Sequence, residues 1–344
     1  MSKAALKDHQ LTEKISENVE GLRRVRDEIA RVIVGQEGVV ELTLIALLCE
    51  GHVLLEGVPG LGKTLLVRTL ADTLDLQFSR IQFTPDLMPA DVIGTSMVIQ
   101  DQSKNFNLRF EPGPVFANLV LGDEINRASP KTQSALLEAM QERAVTVRGE
   151  RHELPRPFLV LATQNPLEME GTYPLPEAQI DRFFFKILIN QPSESELETI
   201  IERTVGVNNP QVGAILEATE LRTMQLAVRE VVVPSHVTNY AARLILATQP
   251  EREGVLPHIK QFVRYGAGPR GAQSLILAAK ARALMAGRFN VSLEDVQKLA
   301  QPSLRHRIAL NFDGYSEGVK IDDLLNEILA GLPTDKTRPE EITQ

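Results

Sequence analysis

The chain has 344 residues, 43% of them hydrophobic and 24% charged, with a formal net charge of −8; this is ample for a packed core and fits two domains, or one with a large appendage. An acidic surface of this kind repels duplex nucleic acid unless a local basic patch overrides the total. A single cysteine, Cys49, excludes an internal disulfide framework and any cysteine-rich zinc site.

Met1–Asp8 lacks the continuous apolar stretch of a secretory leader, and no run approaches the ~20 apolar residues that span a bilayer, so the chain reads as soluble and cytoplasmic. Cys49 closes the apolar run Leu44–Cys49 and reads as a small buried residue. The histidines show no metal-ligand spacing and read as surface or packing residues. Val53–Leu55, Leu119–Leu121 and Leu159–Ala162 are brief, apolar at consecutive positions and bounded by turn or polar residues, which suits parallel strands buried on both faces. Phe78–Phe83 and Phe183–Ile189 are two further strands, and helical patterns separate them all. The spacing predicts a parallel sheet covered on both sides. A long connection, Thr84 to Asn118, holds a hairpin: Val92–Ile99, a turn at Asp101–Asn105, and Phe106–Phe110. After a helix at Pro130–Glu142, a second hairpin is expected from Ala144–Arg148, a turn at Gly149-Glu150, and Arg151–Leu154.

Near Gln191-Pro192 the pattern becomes helical throughout. Ser193 with Glu196, and Ser292 with Asp295, form capping boxes ahead of apolar runs, and Gly271–Gly287 is Ala- and Leu-rich at helical spacing. The expected organisation is a nucleotide-binding core with a helical N-terminal segment over 1–191, a smaller all-α domain over 192–332, and a frayed tail over 333–344.

Gly57-Val58-Pro59-Gly60-Leu61-Gly62-Lys63-Thr64 follows the strand Val53–Leu55 and opens the helical pattern Thr64–Thr73, the context a P-loop requires. Its glycines let backbone N–H groups close around phosphates, aided by the positive end of the following helix. Lys63 is expected to neutralise β- and γ-oxygens of ATP, and the Thr64 hydroxyl to ligate Mg²⁺. The strand Leu119–Leu121 ends in Gly122-Asp123-Glu124: Asp123 is read as the second Mg²⁺ group and Glu124 as the general base that orients the attacking water. Leu159–Ala162 runs into Thr163-Gln164-Asn165-Pro166, where a neutral amide at Asn165 can reach the γ-phosphate or water if the parallel sheet sets that strand end beside the P-loop. Arg182, in Asp181-Arg182-Phe183, and Arg270, in Gly266–Arg270, offer rigid charged forks suited to phosphate, but spacing alone assigns neither.

Taken together, Gly57–Thr64, Asp123-Glu124, Asn165, Asp181-Arg182-Phe183 and Gly266–Arg270 resemble an AAA+ ATPase. Asp123-Glu124-Ile125-Asn126-Arg127-Ala128, Gln133–Glu142 and Gly171–Gln179 narrow the resemblance to the MoxR family, over about Val32 to Arg307. The resemblance implies an α/β fold, an αβα sandwich with strand order 5-1-4-3-2 and inserted hairpins, followed by the helical lid. It implies a homo-oligomeric ring, usually hexameric, with ATP held between neighbours. Lys63 and Thr64 then correspond to Walker A, Asp123 and Glu124 to Walker B, Asn165 to sensor 1, Arg270 to sensor 2 and Arg182 to the arginine finger. Val32-Ile33-Val34-Gly35-Gln36 matches the segment lining the adenine pocket, so Ile33 and Val34, with Val58 through Leu65, form the expected nucleotide contacts. Gly268 departs from the serine common in relatives, which loosens the turn before Arg270. Arg307 falls in another matching stretch without an assigned role.

The implied activity is Mg-ATP hydrolysis that depends on assembly and changes the angle between core and lid. The implied work is chaperone-like remodelling or maturation of a protein client, often one carrying a von Willebrand A domain; a magnesium-chelatase-type motor is a close cousin. A nucleic-acid motor is the rival from another class, since Arg143, Arg148, Arg151, His152 and Arg156 gather on or near the second hairpin. Glu142, Glu150 and Glu153 sit among them and no aromatic interleaves to stack bases, which disfavours it. A ring that binds ATP without turnover is the third alternative.

Overall fold

The structure, a computed structural model, describes residues 19–100, 106–166, 171–205 and 210–334. The N-terminal segment 1–18, the expected turn at 101–105 and the tail beyond Thr334 lie outside the described residues. The chain divides into two compact units, Met1–Ala227 and Val228–Gln344.

The first unit begins with α1 (19–30), α2 (Glu37–Leu48), β1 (Val53–Glu56), α3 (Lys63–Thr73), β2 (Phe78–Gln82) and α4 (Pro89–Ile93). It continues through β3 (Gly94–Gln100), β4 (Phe106–Pro112), β5 (Leu119–Asp123), α5 (Pro130–Glu142), β6 (Ala144–Val147), β7 (Glu150–Glu153) and β8 (Leu159–Gln164). It closes with α6 (Glu177–Ile180), β9 (Phe185–Leu188), α7 (Glu194–Val205) and most of α8 (Ala218–Glu230). Five strands form one parallel sheet in the order β2-β5-β8-β1-β9. Renumbered within the sheet, that is the 5-1-4-3-2 order the family resemblance implies.

Both faces of the sheet are covered, which is why its strands read as continuous apolar runs. Val53 to Leu55, Leu119 to Leu121 and Leu159 to Leu161 are all buried. Leu54, Val120 and Val160 point into a cluster with Leu136, Leu137 and Met140 of α5; each such burial contributes about 1.5–3 kcal/mol. α5 starts where the sequence says: Ser129 caps it, Pro130 takes the first turn, and Arg143 ends it in the left-handed region. His52 is a core residue: Val160 N–H donates to its Nδ1 at 3.0 Å, and its Nε2 lies 3.0 Å from Met140 O. Cys49 is buried, as expected.

Both inserted hairpins are present. β3 pairs with β4 from Gly94↔Pro112 to Gln100↔Phe106, and β6 with β7 from Ala144↔Glu153 to Val147↔Glu150. The second turn is Arg148-Gly149, one residue earlier than expected, with both residues at positive φ (52° and 84°) as a two-residue hairpin loop needs.

The strand–helix alternation ends near Gln191-Pro192, yet the compact unit runs on to Ala227. The reason is tertiary: Arg203 donates to Ala30 O and Arg31 O (3.0 and 2.8 Å), Ile215 N–H to Thr73 O (2.8 Å), and Gln225 to Leu47 O (2.8 Å). The second unit holds α9 (Ser235–Ala247), α10 (Pro257–Phe262), β10 (Val263–Tyr265), α11 (Pro269–Met285), α12 (Leu293–Leu304), β11 (Ala309–Leu310), α13 (Phe312–Ser316) and α14 (Ile321–Gly331). It is not purely helical, because β10 and β11 form an antiparallel ribbon. Its α12 carries the expected Ser292–Asp295 capping box. Among the described residues no helix is long and apolar enough to cross a membrane.

Candidate functional site

β1 feeds the loop Gly57–Gly62, which opens α3. Gly60 and Gly62 sit at φ 84° and 72°, a conformation that strains any residue with a side chain. No side chain caps α3, whose N-cap is Gly62, so the N–H groups of its first turn remain available to phosphate oxygens. Lys63 turns back to donate to Gly57 O. Partial burial holds its ammonium below the usual lysine range, opposed by the charges of Asp123, Glu124 and Glu56. Thr64, half-buried, is the second residue of α3.

The sheet order brings the other groups alongside. β8 lies between β1 and β5, with Glu56 level with Gln164 and Gly122 level with Ala162. Asn165 therefore emerges beside the P-loop, buried, and Gly57 N–H reaches Gln164 O at 3.4 Å. Asp123 emerges beside Thr163, whose hydroxyl donates to Asp123 Oδ1 at 2.7 Å and accepts from Glu124 N–H at 2.8 Å. Glu124 sits in the left-handed region (φ 57°, ψ 51°), a strained position for a non-glycine residue. Its Oε2 accepts from Gln82 Nε2 and Arg127 Nη1, both at 3.0 Å. Arg80 Nη2 lies 2.6 Å from Asp123 Oδ2.

Thr163, Arg80, Gln82 and Arg127 carry no role in the reading from sequence, although Thr163 and Arg127 fall inside the motifs quoted there. Arg80 and Gln82 alternate with Ser79 and Ile81 on an edge strand, a pattern that reads as simple solvent exposure; only the pairing of Gln82 with Asp123 in the sheet register reveals their place. Thr163 offered a faint signal, a hydroxyl directly after the buried apolar run Leu159–Ala162.

Beside the P-loop lies a cavity of about 200 Å³. Ile33, Val34, Leu61, Gly62 and Leu65, read from the sequence as nucleotide contacts, are among its lining residues, with Pro192, Leu197, Ile200 and Thr204 on another side. The latter group lies some 150 residues downstream and was invisible to local pattern. Gly35, also in the lining, is held at φ 69°, and a Cβ there would come within 2.2 Å of Glu196 Oε1, the carboxylate of the α7 capping box. Gln36 Nε2 ties this segment to Leu61 O at 3.0 Å. Its walls are mainly apolar, with Gln36, Asn190, Arg203 and Thr204 as polar lining, a mixture that suits a planar base with polar edges.

The structure does not bring Arg182 to this group. It is exposed in the turn before β9, and Phe185 is level with Val53, so Arg182 stands at the amino end of the sheet while the P-loop stands at the carboxyl end. Arg270 is exposed in the first turn of α11 in the second unit. Gly268, its N-cap, is extended (φ −90°, ψ −171°) with open space where a Cβ would be, so serine would fit there. Arg307 is an interior residue of that unit, bonded to Ser303 O and to Ser274 Oγ (3.2 Å). Among the described residues no group of three or more His, Cys, Asp or Glu could by itself hold a metal. The donors at hand, the Thr64 hydroxyl and the Asp123 carboxylate, are the hard, sparse oxygen set that suits Mg²⁺ arriving with nucleotide phosphates.

A P-loop at the switch between β1 and α3, with two carboxylates at the end of β5, one strand beyond β8, defines a nucleotide-binding unit of the AAA+ class. Residues 52–185 match the family described as "ATPase family associated with various cellular activities (AAA)", and residues 258–328 match the "AAA lid domain". The chain is 44% identical to "Chaperone MoxR1" of Mycobacterium tuberculosis over 331 residues, covering 96% of this chain and 87% of that protein. It is 41% identical to the protein YeaC of Bacillus subtilis, covering 90% and 94%. A crystal structure from Cytophaga hutchinsonii superposes with a TM-score of 0.88 at 42% identity, covering 96% of this chain and 98% of that one. The chain belongs to the MoxR family of AAA+ ATPases.

Proposed function

We propose that this chain binds and hydrolyses Mg-ATP as a ring of copies, six by the family resemblance, and uses turnover to remodel or mature a protein client carrying a von Willebrand A domain. One observation carries the reading: Lys63, Thr64, Asp123, Glu124 and Asn165 stand at the carboxyl ends of adjacent strands, while Arg182 stands at the opposite end of the sheet. With β1 four residues long, at about 3.3 Å per residue, Arg182 cannot serve its own P-loop. It can serve a neighbour's.

Val58, Pro59, Gly60, Leu61 and Gly62 wrap the phosphates with backbone N–H groups, and Lys63 adds charge. Ile33, Val34 and Leu65 cover the base. Glu124, pinned through its own N–H by Thr163, orients the attacking water and takes its proton; Asn165 donates to the water or γ-oxygen without adding charge. Thr64 and Asp123 would hold Mg²⁺, which would supply neutralisation of phosphate charge when bound. Arg182 from a neighbour spreads the transition-state charge, and Arg270 keeps the sensor role its motif implies. The chaperone name of the Mycobacterium relative supports a protein client.

The second hairpin supports a protein over a nucleic acid. Arg143 pairs with Glu50 at 3.1 Å, Arg151 with Glu153 at 2.8 Å, and His152 stacks on Phe110 with centroids 3.8 Å apart. Steady-state hydrolysis measured alone, with a von Willebrand A-domain protein and with DNA tests the choice. Stimulation by the protein is expected; stimulation by DNA alone, steeply reduced by salt, would overturn it.

A further inference from the structure

Arg80 occupies an unusual place. It lies on the edge strand β2, its side chain about half exposed, yet its guanidinium reaches inward to the carboxylate expected to face the metal. Nη2 contacts Asp123 Oδ2 at 2.6 Å and also Gln82 Oε1 at 2.7 Å. Gln82, two residues on along the same strand face, then points Nε2 at Glu124 Oε2, 3.0 Å away. The four side chains form one hydrogen-bonded chain, Asp123–Arg80–Gln82–Glu124, in which Arg80 fixes which end of the Gln82 amide faces which partner.

We infer that Arg80 is an internal counter-cation for Asp123, which Mg²⁺ must displace, and whose departure loosens the Gln82 hold on Glu124. The inference rests on the reading of Asp123 as a metal-facing group. Adjacent carboxylates at a strand end repel each other, and a guanidinium relieves this while the site is without metal. A divalent ion at the same carboxylate is repelled by that guanidinium and competes for the same oxygen. Once Arg80 leaves, Gln82 Oε1 loses its donor, its amide is free to turn, and Glu124 gives up one of the two side-chain donors on Oε2. Arrival of the metal is thereby reported to the general base. Arg80 acts through other groups and is a positioning residue.

The test is the affinity of Mn²⁺, followed by its paramagnetic resonance signal, for the full chain saturated with ADP. Arg80→Ala is expected to tighten Mn²⁺ about tenfold, the loss of one charge-assisted contact and one repulsion. Arg80→Lys, which keeps the charge, should stay near wild type, and Gln82→Ala should change affinity less than about twofold. A role confined to holding the strand in shape predicts weaker binding for Arg80→Ala instead. Unchanged or weakened Mn²⁺ binding in Arg80→Ala, with Asp123→Ala weakened more than tenfold, would overturn the inference and leave the Asp123 reading standing. Mn²⁺ binding unaffected by Asp123→Ala would overturn both.

Discussion

Thr163→Val is the sharpest perturbation of the site, because valine keeps the shape of a buried threonine and removes only the hydroxyl. That hydroxyl donates to Asp123 Oδ1 at 2.7 Å and accepts from Glu124 N–H at 2.8 Å. Loss of a hydrogen bond to a charged group costs about 1.5–3 kcal/mol, and an unsatisfied N–H about 1–3 kcal/mol. Asp123 is partly open to water, which can replace its lost donor, so the lower ends apply and the sum is about 2–3 kcal/mol. The catalytic effect should exceed the stability effect. Glu124 is held in the left-handed region by that N–H contact, and a shift of the base by about 1 Å is enough to cost ~100-fold in rate. Denaturant unfolding followed by circular dichroism, with single-turnover ATP hydrolysis at excess protein, measures both. Thr163→Ser keeps the hydroxyl and should lose only about 1 kcal/mol, for one methyl group. If Thr163→Val unfolds within ~0.5 kcal/mol of wild type and hydrolyses ATP at its rate, the positioning argument is wrong.

Three other outcomes follow from the same geometry. Complete burial, reinforced by the charge of Arg143, brings His52 down to about 4 despite its bond to Met140 O, so the folded protein keeps it neutral where the unfolded chain protonates. Its stabilising contribution is whole above pH 6.5 and is lost as pH falls from 6.5 to about 4, roughly 3 kcal/mol in all; urea melts at pH 7, 5.5 and 4.5 should show the slope, and His52→Asn should flatten it. Asp295→Ala should cost the second unit about 3–5 kcal/mol, because the carboxylate is fully buried among Arg282, Arg288 and Ser292. Arg288 and Ser292 draw that carboxyl down to about 2 although burial pushes it up, so its contribution is present above pH 4 and fades between about 4 and 2. Arg182→Ala should leave nucleotide binding intact yet lower turnover of assembled protein by about 1,000-fold, and hydrolysis per chain should rise with concentration in the wild type only.

The sheet was legible because its strands are buried on both faces: Val53–Leu55, Leu119–Leu121 and Leu159–Ala162 carry that in consecutive apolar residues. The chemistry at their ends was legible because Lys63, Asp123 and Glu124 stand at turns where charge needs a reason. What stayed hidden depends on contacts across the sheet. Arg80 and Gln82 look like the exposed face of an edge strand until β5 is set beside β2. The cavity beside the P-loop draws Leu197, Ile200, Arg203 and Thr204 from α7, and α7 belongs with the first unit through Arg203 and its contacts to Ala30 and Arg31, which no local pattern records. The ribbon of β10 and β11 escaped notice because strands of two or three residues are too short for periodicity to register.

The central claim is that Glu124 activates water at an ATP site built by β1, β5 and β8. Single-turnover hydrolysis by Glu124→Gln, with ATP affinity measured on the same preparation, tests it most directly. Affinity within a few-fold of wild type and hydrolysis slower by about 100- to 10,000-fold is the predicted result. Hydrolysis at the wild-type rate would contradict it.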